Sequence, residues 1–201
     1  MSEARKRLDR DYFERLYAEH PDPWGFETSD YESRKYGRTL AALGGRGFEN
    51  ALEVGCSIGV FTGLLAGRCE ALLAVDASER AVEAARRRLT DERHVRVERA
   101  TLPEETPEGD FDRKFDLIVA SEVLYYLPEE TMLATLGRLE DALSPGGLFV
   151  IVHWREETRT YPLQGDEVHR LVRENTSLRH LRHEAEPEYL LDVYKRDGER
   201  P

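Results

Sequence analysis

Short apolar segments alternate with stretches of helical spacing from residue 51 onward. The apolar segments predict buried strands at 51–54, 71–75, 95–99, 115–120 and 147–153. The stretches between them predict helices near 60–67, 78–89 and 129–142. This alternation favours a mostly parallel sheet with helices on both faces.

The N-terminal segment has no place in that sheet. Aromatic and leucine positions at helical spacing predict a helix over 9–19, and the prolines and glycine of His20–Gly25 break it. A second helix is expected over 31–43. We therefore divide the chain into an N-terminal helical lid, 1–45, and a core, 46–201.

The C-terminal part predicts one more helix and a pair of strands. The helix follows Gly165, and the strands lie at 178–183 and 188–195. The expected fold is α/β: a single doubly wound, Rossmann-like domain. Its seven-stranded sheet is mostly parallel, with an antiparallel last strand.

Composition narrows the class of protein. The 201 residues fit one domain, and 34% charged with 40% hydrophobic residues is ordinary for a globular protein in water. A net charge of −11 disfavours nucleic acid as a partner, because phosphate backbones need a basic face. The apolar runs are too short to span a membrane, and two cysteines are too few for a disulfide framework. We expect a cytoplasmic monomer or homodimer acting on a small molecule, with a weak preference for a cationic one.

A turn of small residues, Gly55–Gly59, follows the first predicted strand, which ends near Glu53. Such a thin turn ahead of a helix lets a ligand lie against the backbone. The second strand ends at Asp76, whose carboxylate is placed to accept hydrogen bonds from two ribose hydroxyls. The pattern predicts a site for an adenosine-containing cofactor.

Two other sites share parts of this pattern. The dinucleotide fingerprint G-x-G-x-x-G needs a third glycine for helix packing, and that position is Val60. The nucleophile elbow G-x-S-x-G matches Gly55–Gly59 literally. It also needs an oxyanion loop from an earlier strand, and only a polar segment precedes this one. We therefore disfavour both a nicotinamide cofactor and a hydrolase.

Three segments resemble the ordered motifs of class I S-adenosylmethionine-dependent methyltransferases. They are Glu53–Thr62, Phe115–Val119 and Leu143–Gly147. The resemblance implies S-adenosyl-L-methionine as cofactor and S-adenosyl-L-homocysteine as product.

Narrower motifs resemble the nodulation protein S group, whose members N-methylate an amino sugar in a chitooligosaccharide. These motifs are Asp22–Trp24, Tyr31–Lys35 and Ser121–Leu127. Similar small enzymes methylate aminodeoxysugars in antibiotic pathways. The likeness extends from about residue 10 to residue 153.

The fold and the resemblance together give a set of cofactor-binding candidates at the strand ends and in the lid. They are Trp24, Arg34, Glu53, Gly55, Cys56, Ser57, Gly59, Asp76, Ala77, Ala100, Thr101, Leu102 and Ser121. A tryptophan ring would attract the positive sulfonium, and an arginine or the neighbouring Lys35 could reach the cofactor carboxylate. Many class I enzymes place an Asp after the third strand. Here the Thr101 hydroxyl or a backbone carbonyl must hold the adenine.

Methyl transfer from a sulfonium is an in-line displacement, so the protein mainly aligns the reactants and excludes water. An amine must also be neutral, and a carboxylate or imidazole can take its proton. The candidates for this base are, in order, Glu122, His153 and His169. Candidates for substrate contact are Tyr12, Tyr31, Tyr125, Tyr126 and Trp154.

The expected function is methylation of the amine of a small molecule, with an amino sugar as the leading candidate. One alternative is an O-methyltransferase, for which a histidine base would be natural. Another is a subunit that binds the cofactor without catalysis. No metal site is expected, because His180 and His183 lie in a predicted strand at a spacing that would point their side chains to opposite faces.

Overall fold

The computed structural model describes residues 7–106 and 114–198. Residues 1–6 of the predicted lid, and residues 107–113 and 199–201 of the predicted core, lie outside the described residues. Seven strands of the described residues form one sheet. They are β1 (Phe48–Val54), β2 (Cys69–Asp76), β3 (Val95–Arg99), β4 (Phe115–Ser121), β5 (Leu143–Trp154), β6 (Arg179–Ala185) and β7 (Tyr189–Lys195).

The strand order is β3-β2-β1-β4-β5-β7-β6. Strands β1 to β5 pair in parallel, whereas β7 pairs antiparallel with both β5 and β6. The chain order reverses direction across the sheet at β1, and ligands bind beside such switch points in open α/β sheets. The predicted fold class, including the antiparallel last strand, is confirmed.

Six helices of residues 7–106 and 114–198 accompany the sheet. They are α1 (Arg10–Glu19), α2 (Asp30–Ala42), α3 (Val60–Ala66), α4 (Glu79–Arg88), α5 (Glu129–Ala142) and α6 (Gly165–Asn175), with a 3₁₀ turn at Leu124–Tyr126. Three of them begin at a side chain that accepts a hydrogen bond from the first turn: Asp9 for α1, Ser29 for α2 and Ser78 for α4. The two N-terminal helices thus begin within one residue of the predicted positions.

Successive residues of the central strands point to opposite faces of the sheet, and helices cover both faces. On one face, Ile118 and Phe149 pack with α5 and α6 side chains such as Met132. On the other face, Leu117 packs with Phe61 and other residues of α3. This arrangement explains why the central strands are apolar runs rather than alternating ones.

One boundary prediction is wrong. The strand predicted at 147–153 begins earlier in the structure, because β5 already starts at Leu143, which pairs with Phe115. The pairing shifts register between Phe115 and Leu117, and the extra residues lie in β5, between Leu143 and Leu148. Within the described part of the chain, no helix combines the length and the apolar character needed to cross a membrane.

Candidate functional site

A cavity of about 370 Å³ opens at the carboxyl ends of the parallel strands. Most of the predicted site residues line it: Trp24, Tyr31, Glu53, Gly55, Cys56, Ser57, Asp76, Ala77, Ala100, Thr101, Leu102, Ser121, Glu122, Tyr125, Tyr126 and Trp154. Five do not line it: Tyr12, Arg34, Gly59, His153 and His169. Residues from both N-terminal helices form part of the wall, whereas their movement as a lid stays a prediction.

Asp76 holds the turn that follows β1. Its Oδ2 accepts a hydrogen bond from the Ser57 amide and its Oδ1 one from the Ser78 amide, each at 2.9 Å. Burial raises the pKa of Asp76, and these hydrogen bonds oppose that shift. Two carboxylate oxygens can accept about four hydrogen bonds, so acceptor capacity remains on the cavity side. Asp76 is therefore equipped to hold vicinal hydroxyls while it shapes the turn.

Gly55 makes the floor of the cavity thin. Its φ of +79° lies in the left-handed region, and a Cβ there would come within 2.9 Å of the Val123 side chain. Gly59 has a different role, because a Cβ there would lie 3.0 Å from that of Ala85 in α4. The prediction that Gly59 contacts the cofactor is corrected: it allows α4 to pack against the turn.

Glu53 lies beneath this turn. Only 2% of it is exposed, and burial raises its pKa to about 7. A hydrogen bond with the Thr62 side chain lowers this pKa and so opposes the effect of burial. Glu53 therefore presents a buried carboxylate in the wall of the cavity, suited to a cationic donor such as an α-ammonium group.

The segment after β3 lines the cavity at Ala100, Thr101 and Leu102. The Leu102 carbonyl already accepts a hydrogen bond from Arg7 Nη2 at 2.8 Å. A carbonyl has two lone pairs, so both this oxygen and the Thr101 hydroxyl stay candidates for adenine contact.

Helix α2 presents Lys35, not Arg34, to the cavity. Arg34 is exposed and outside it, so the expectation that Arg34 reaches the cofactor is wrong for this structure. Lys35 Nζ lies 2.9 Å from Glu32 Oε1 and 2.6 Å from Glu122 Oε1. Burial lowers the pKa of Lys35, but Glu122 and Glu32 outweigh it, so the net direction is upward. Glu32, Lys35 and Glu122 thus form one cluster, whose net charge is −1 when all three are ionised.

Glu122 is fixed in position by several donors. Its φ of +54° lies in the left-handed region. Its Oε2 accepts hydrogen bonds from the Tyr125 hydroxyl at 2.5 Å and the Trp154 amide at 3.0 Å, while Oε1 faces Lys35. This carboxylate is well placed to organise the cavity, but most of its acceptor capacity is already used.

Glu32 is a cavity residue that the sequence prediction missed. It is buried, and burial raises its pKa. Its Oε1 accepts a hydrogen bond from Lys35 Nζ, and a hydrogen bond with the Tyr36 side chain lowers the pKa of Glu32, against the effect of burial. The spacing of Glu32 and Lys35, three positions apart on a helix, was the available signal for this pair.

The two predicted histidine bases lie behind the cavity wall. His153 Nε2 accepts a hydrogen bond from the Leu124 amide at 3.2 Å, and its Nδ1 lies 3.2 Å from His169 Nε2. His169 Nδ1 lies 2.7 Å from Asp192 Oδ2. Because an amide can only donate, this chain requires neutral imidazoles that donate from Nδ1 towards Asp192. Neither residue can accept a substrate proton, so both base assignments are corrected.

Burial lowers the pKa of both histidines. For His169, the contact with Asp192 opposes this shift. We call this chain of Leu124, His153, His169 and Asp192 the histidine relay.

Aromatic side chains of the N-terminal segment cover the turn. Tyr12 lies outside the cavity, whereas Phe13 and Tyr17 on the neighbouring face of α1 line it, so the Tyr12 assignment is also corrected. The Tyr17 hydroxyl and Ser57 Oγ share a hydrogen bond of 2.5 Å. Trp24 packs edge-on against Tyr17. The partner of Ser57 is thus a phenol rather than an imidazole, which gives no support to a nucleophile elbow.

The prediction that His180 and His183 point to opposite faces of a strand, which was the reason for expecting no metal site, is wrong. A register shift leaves Leu181 unpaired in β6, so that His180 lies opposite Tyr194 and His183 opposite Asp192. The bulge puts both histidines on one face. Both approach Asp192 Oδ1, His180 Nε2 at 2.8 Å and His183 Nδ1 at 2.7 Å.

Comparisons of the sequence with known proteins agree on one family. The family model described as Nodulation protein S (NodS) matches residues 6–184. A nodulation protein S of Rhizobium tropici is 34% identical over 131 residues, which is 64% of this chain and 53% of that protein. One of Bradyrhizobium diazoefficiens is 35% identical over 143 residues, 68% of this chain and 64% of that protein. The alignments thus span between about half and two thirds of these curated relatives.

Solved structures give the same fold. The N-methyltransferase NodS of Bradyrhizobium japonicum WM9, in complex with S-adenosyl-L-homocysteine, superposes with a TM-score of 0.82 at 26% identity, covering 93% of this chain and 97% of that one. A putative methyltransferase of Pseudomonas syringae is 40% identical, with a TM-score of 0.68, covering 83% and 99%. The first of these structures contains S-adenosyl-L-homocysteine, which is the product that S-adenosyl-L-methionine, the expected cofactor, leaves after methyl transfer. The predicted resemblance is confirmed, and the chain belongs to the nodulation protein S family.

Proposed function

We propose that this chain is an S-adenosylmethionine-dependent methyltransferase that methylates an amine of a small molecule, with an amino sugar as the preferred acceptor. The observation that carries the proposal is the convergence of three carboxylates on one cavity: the buried Glu32 and Glu53, together with Asp76. Buried carboxylates are costly unless they are paired, and a cationic ligand would supply both positive charge and hydrogen-bond donors to them.

The residues fit the cofactor. The thin turn at Gly55 allows close approach of a ligand, Asp76 retains acceptor capacity for a ribose, and Glu53 offers an acceptor for an ammonium group. When bound, S-adenosylmethionine supplies an activated methyl group. The carboxylates and the aromatic wall would then hold the acceptor in line and exclude water.

An amine acceptor is favoured over a hydroxyl. Of the described residues that line the cavity, none is a histidine, and the one lysine is paired with two carboxylates. A hydroxyl would need a strong base at the reacting atom, whereas an amine needs only loss of one proton and a negative environment. Glu32 is the residue proposed to accept that proton, and Glu122 and Tyr125 to orient the acceptor.

The experiment measures transfer of labelled methyl groups to two matched oligosaccharides. One is a chitooligosaccharide with a free amine at its non-reducing end, and the other is its fully N-acetylated counterpart. We expect transfer to the free amine alone, together with 1:1 calorimetric binding of S-adenosylhomocysteine. Binding without transfer to any amine would instead indicate a non-catalytic subunit, and transfer to the acetylated sugar would indicate a hydroxyl acceptor.

Substituting Glu32→Gln tests the proposed proton acceptor. We expect kcat/KM for the amine to fall by about tenfold or more, with a much smaller change in S-adenosylhomocysteine affinity. The matched control is Glu130→Gln, an exposed carboxylate of α5 outside the cavity, which should leave both quantities unchanged. Full turnover of Glu32→Gln would remove this residue from the mechanism.

A further inference from the structure

A second group of polar side chains lies at the edge of the sheet, on β6 and β7. His180 and His183 come from β6, and Asp192 comes from β7. None of the three lines the cavity. The nitrogen and oxygen atoms that they bring together all lie within 4.8 Å of one another. The cluster is therefore a separate site, with its own chemistry.

The geometry of this cluster is set by the bulge at Leu181. Two imidazole nitrogens converge on a single carboxylate oxygen, Asp192 Oδ1, at 2.8 Å and 2.7 Å. Asp192 is fully buried, whereas the side chains of His180 and His183 are 32% and 42% exposed. The imidazoles thus cover the carboxylate on its solvent side and leave an approach from water.

From this arrangement we infer that His180, His183 and Asp192 bind a divalent transition-metal ion of the zinc class. Two imidazoles and one carboxylate are a donor set that suits Zn²⁺, Co²⁺ and Ni²⁺. Ligand atoms on a tetrahedral zinc are about 3.3 Å apart, given bonds of about 2.0–2.1 Å. The two histidine nitrogens need to move away from the oxygen by about half an ångström, and their separation from each other, which is within 4.8 Å, must reach the same value. Water would complete the coordination.

The other side of the carboxylate supports this role. Asp192 Oδ2 is held by His169 Nδ1 at 2.7 Å, and such a hydrogen bond fixes the orientation of a metal-binding carboxylate. Arg173 also approaches Oδ2, at 3.8 Å, and its charge opposes that of a cation. Arg173 is half exposed, so solvent screens this opposition, and the ligand oxygen Oδ1 is the one that both histidines approach.

Metal binding at this site requires no change in the number of protons on neutral histidines. Without an ion, each imidazole donates an N–H to Asp192; with an ion, the same nitrogen offers its lone pair and the proton moves to the other ring nitrogen. Protonation of either histidine competes with the ion.

The test measures Zn²⁺ and Co²⁺ binding to the full chain, without an affinity tag, by calorimetry and by the visible spectrum of the cobalt form. We expect one ion per chain and a cobalt spectrum without a sulfur-to-metal band, which excludes Cys56 and Cys69 as ligands. His180→Ala and His183→Ala should each weaken binding at least about tenfold, and the double variant should abolish it. The control is His20→Ala, an exposed histidine outside the cluster, which should bind like the wild type.

The inference is overturned if Zn²⁺ fails to bind below millimolar concentration, or if the double variant binds as tightly as the wild type. Circular dichroism of each variant distinguishes loss of a ligand from loss of the fold, since both histidines are partly exposed. A cobalt spectrum with thiolate character would also overturn it, by assigning the ion to cysteine.

Discussion

Asp76 illustrates how one side chain serves both structure and binding. Its two oxygens accept hydrogen bonds from the amides of Ser57 and Ser78. Replacing it by asparagine turns one acceptor into a donor that faces an amide. We expect Asp76→Asn to weaken S-adenosylhomocysteine binding by about ten- to a hundredfold, since a hydrogen bond to a charged group contributes roughly 1.5–3 kcal/mol.

The chain contains a matched control for this substitution. Asp116 accepts hydrogen bonds from the amides of Glu49 and Asn50, both at 3.0 Å, and lies outside the cavity. Asp116→Asn should lower the free energy of unfolding without changing the affinity for S-adenosylhomocysteine. Calorimetric titration measures the affinity of both variants for S-adenosylhomocysteine. An equal loss of affinity in Asp76→Asn and Asp116→Asn would mean that Asp76 acts through stability alone.

At the scale of elements, the start of α6 is pressed against β5. A Cβ on Gly165 would lie 2.1 Å from the Trp154 carbonyl oxygen and 3.3 Å from the His153 Cβ. Gly165→Ala therefore forces α6 away from the strand that also positions Glu122. We expect the free energy of unfolding to fall by about 1–3 kcal/mol or more, measured by urea denaturation.

Gly137, inside α5, provides the comparison, because nothing lies within 4 Å of a Cβ built there. The same glycine-to-alanine change at this position should raise the free energy of unfolding by about 0.5–1 kcal/mol. Opposite signs for the two variants would assign the Gly165 effect to crowding. A stabilised Gly165→Ala protein would contradict the packing described for α6.

The helices and strands were largely predictable from the sequence, whereas the direction in which individual side chains point was not. The apolar runs of β1, β2, β4 and β5 identify buried strands because that pattern is local. Which of two adjacent basic residues faces the cavity depends on how α2 packs, so Arg34 was chosen where Lys35 lies. The bulge at Leu181 has no sequence signature, and it decided whether His180 and His183 share a face.

At the scale of the whole molecule, the histidine relay links stability to pH. The pKa values of His153 and His169 lie below their ordinary value of 6.5, so below that pH the unfolded chain takes up protons that the folded protein does not. Stability contributed by the relay is therefore present above pH 6.5 and lost as the pH falls. The raised pKa of Glu53 acts in the opposite direction between pH 4.5 and about 7.

Comparing variants separates these two effects. We expect the difference in unfolding free energy between wild type and His153→Gln to shrink as the pH falls from 6.5 to 5, by up to about 1.4 kcal/mol per pH unit. Urea denaturation at several pH values measures it, and His20→Gln, at an exposed position, should run parallel to the wild type. Parallel profiles for His153→Gln as well would show that the relay does not exclude protons.

The sheet and the location of the cavity follow from rules that act over the whole chain, such as parallel strands ending at one edge. The relay does not, because its members are separated by up to 68 residues and meet only when β5, β7 and α6 are assembled. Single histidines in sequence give no sign of such partners. His153 and His169, two of the three bases predicted from sequence, lie outside the cavity for this reason; Glu122 lines the cavity, but in the proposed function it orients the acceptor while Glu32 accepts the proton.

The position of β7 makes the completed sheet depend on a strand that a ribosome produces after β1 to β6. This strand is inserted between β5 and β6, and it supplies Leu191, Val193 and Tyr194 to the interior. A polypeptide truncated before Tyr189 would leave β5 with an open edge and His169 without its carboxylate. Prematurely terminated translation products should therefore expose a strand edge with unpaired backbone groups. We expect them to be bound by chaperones and degraded by proteases rather than to persist as partly active enzymes.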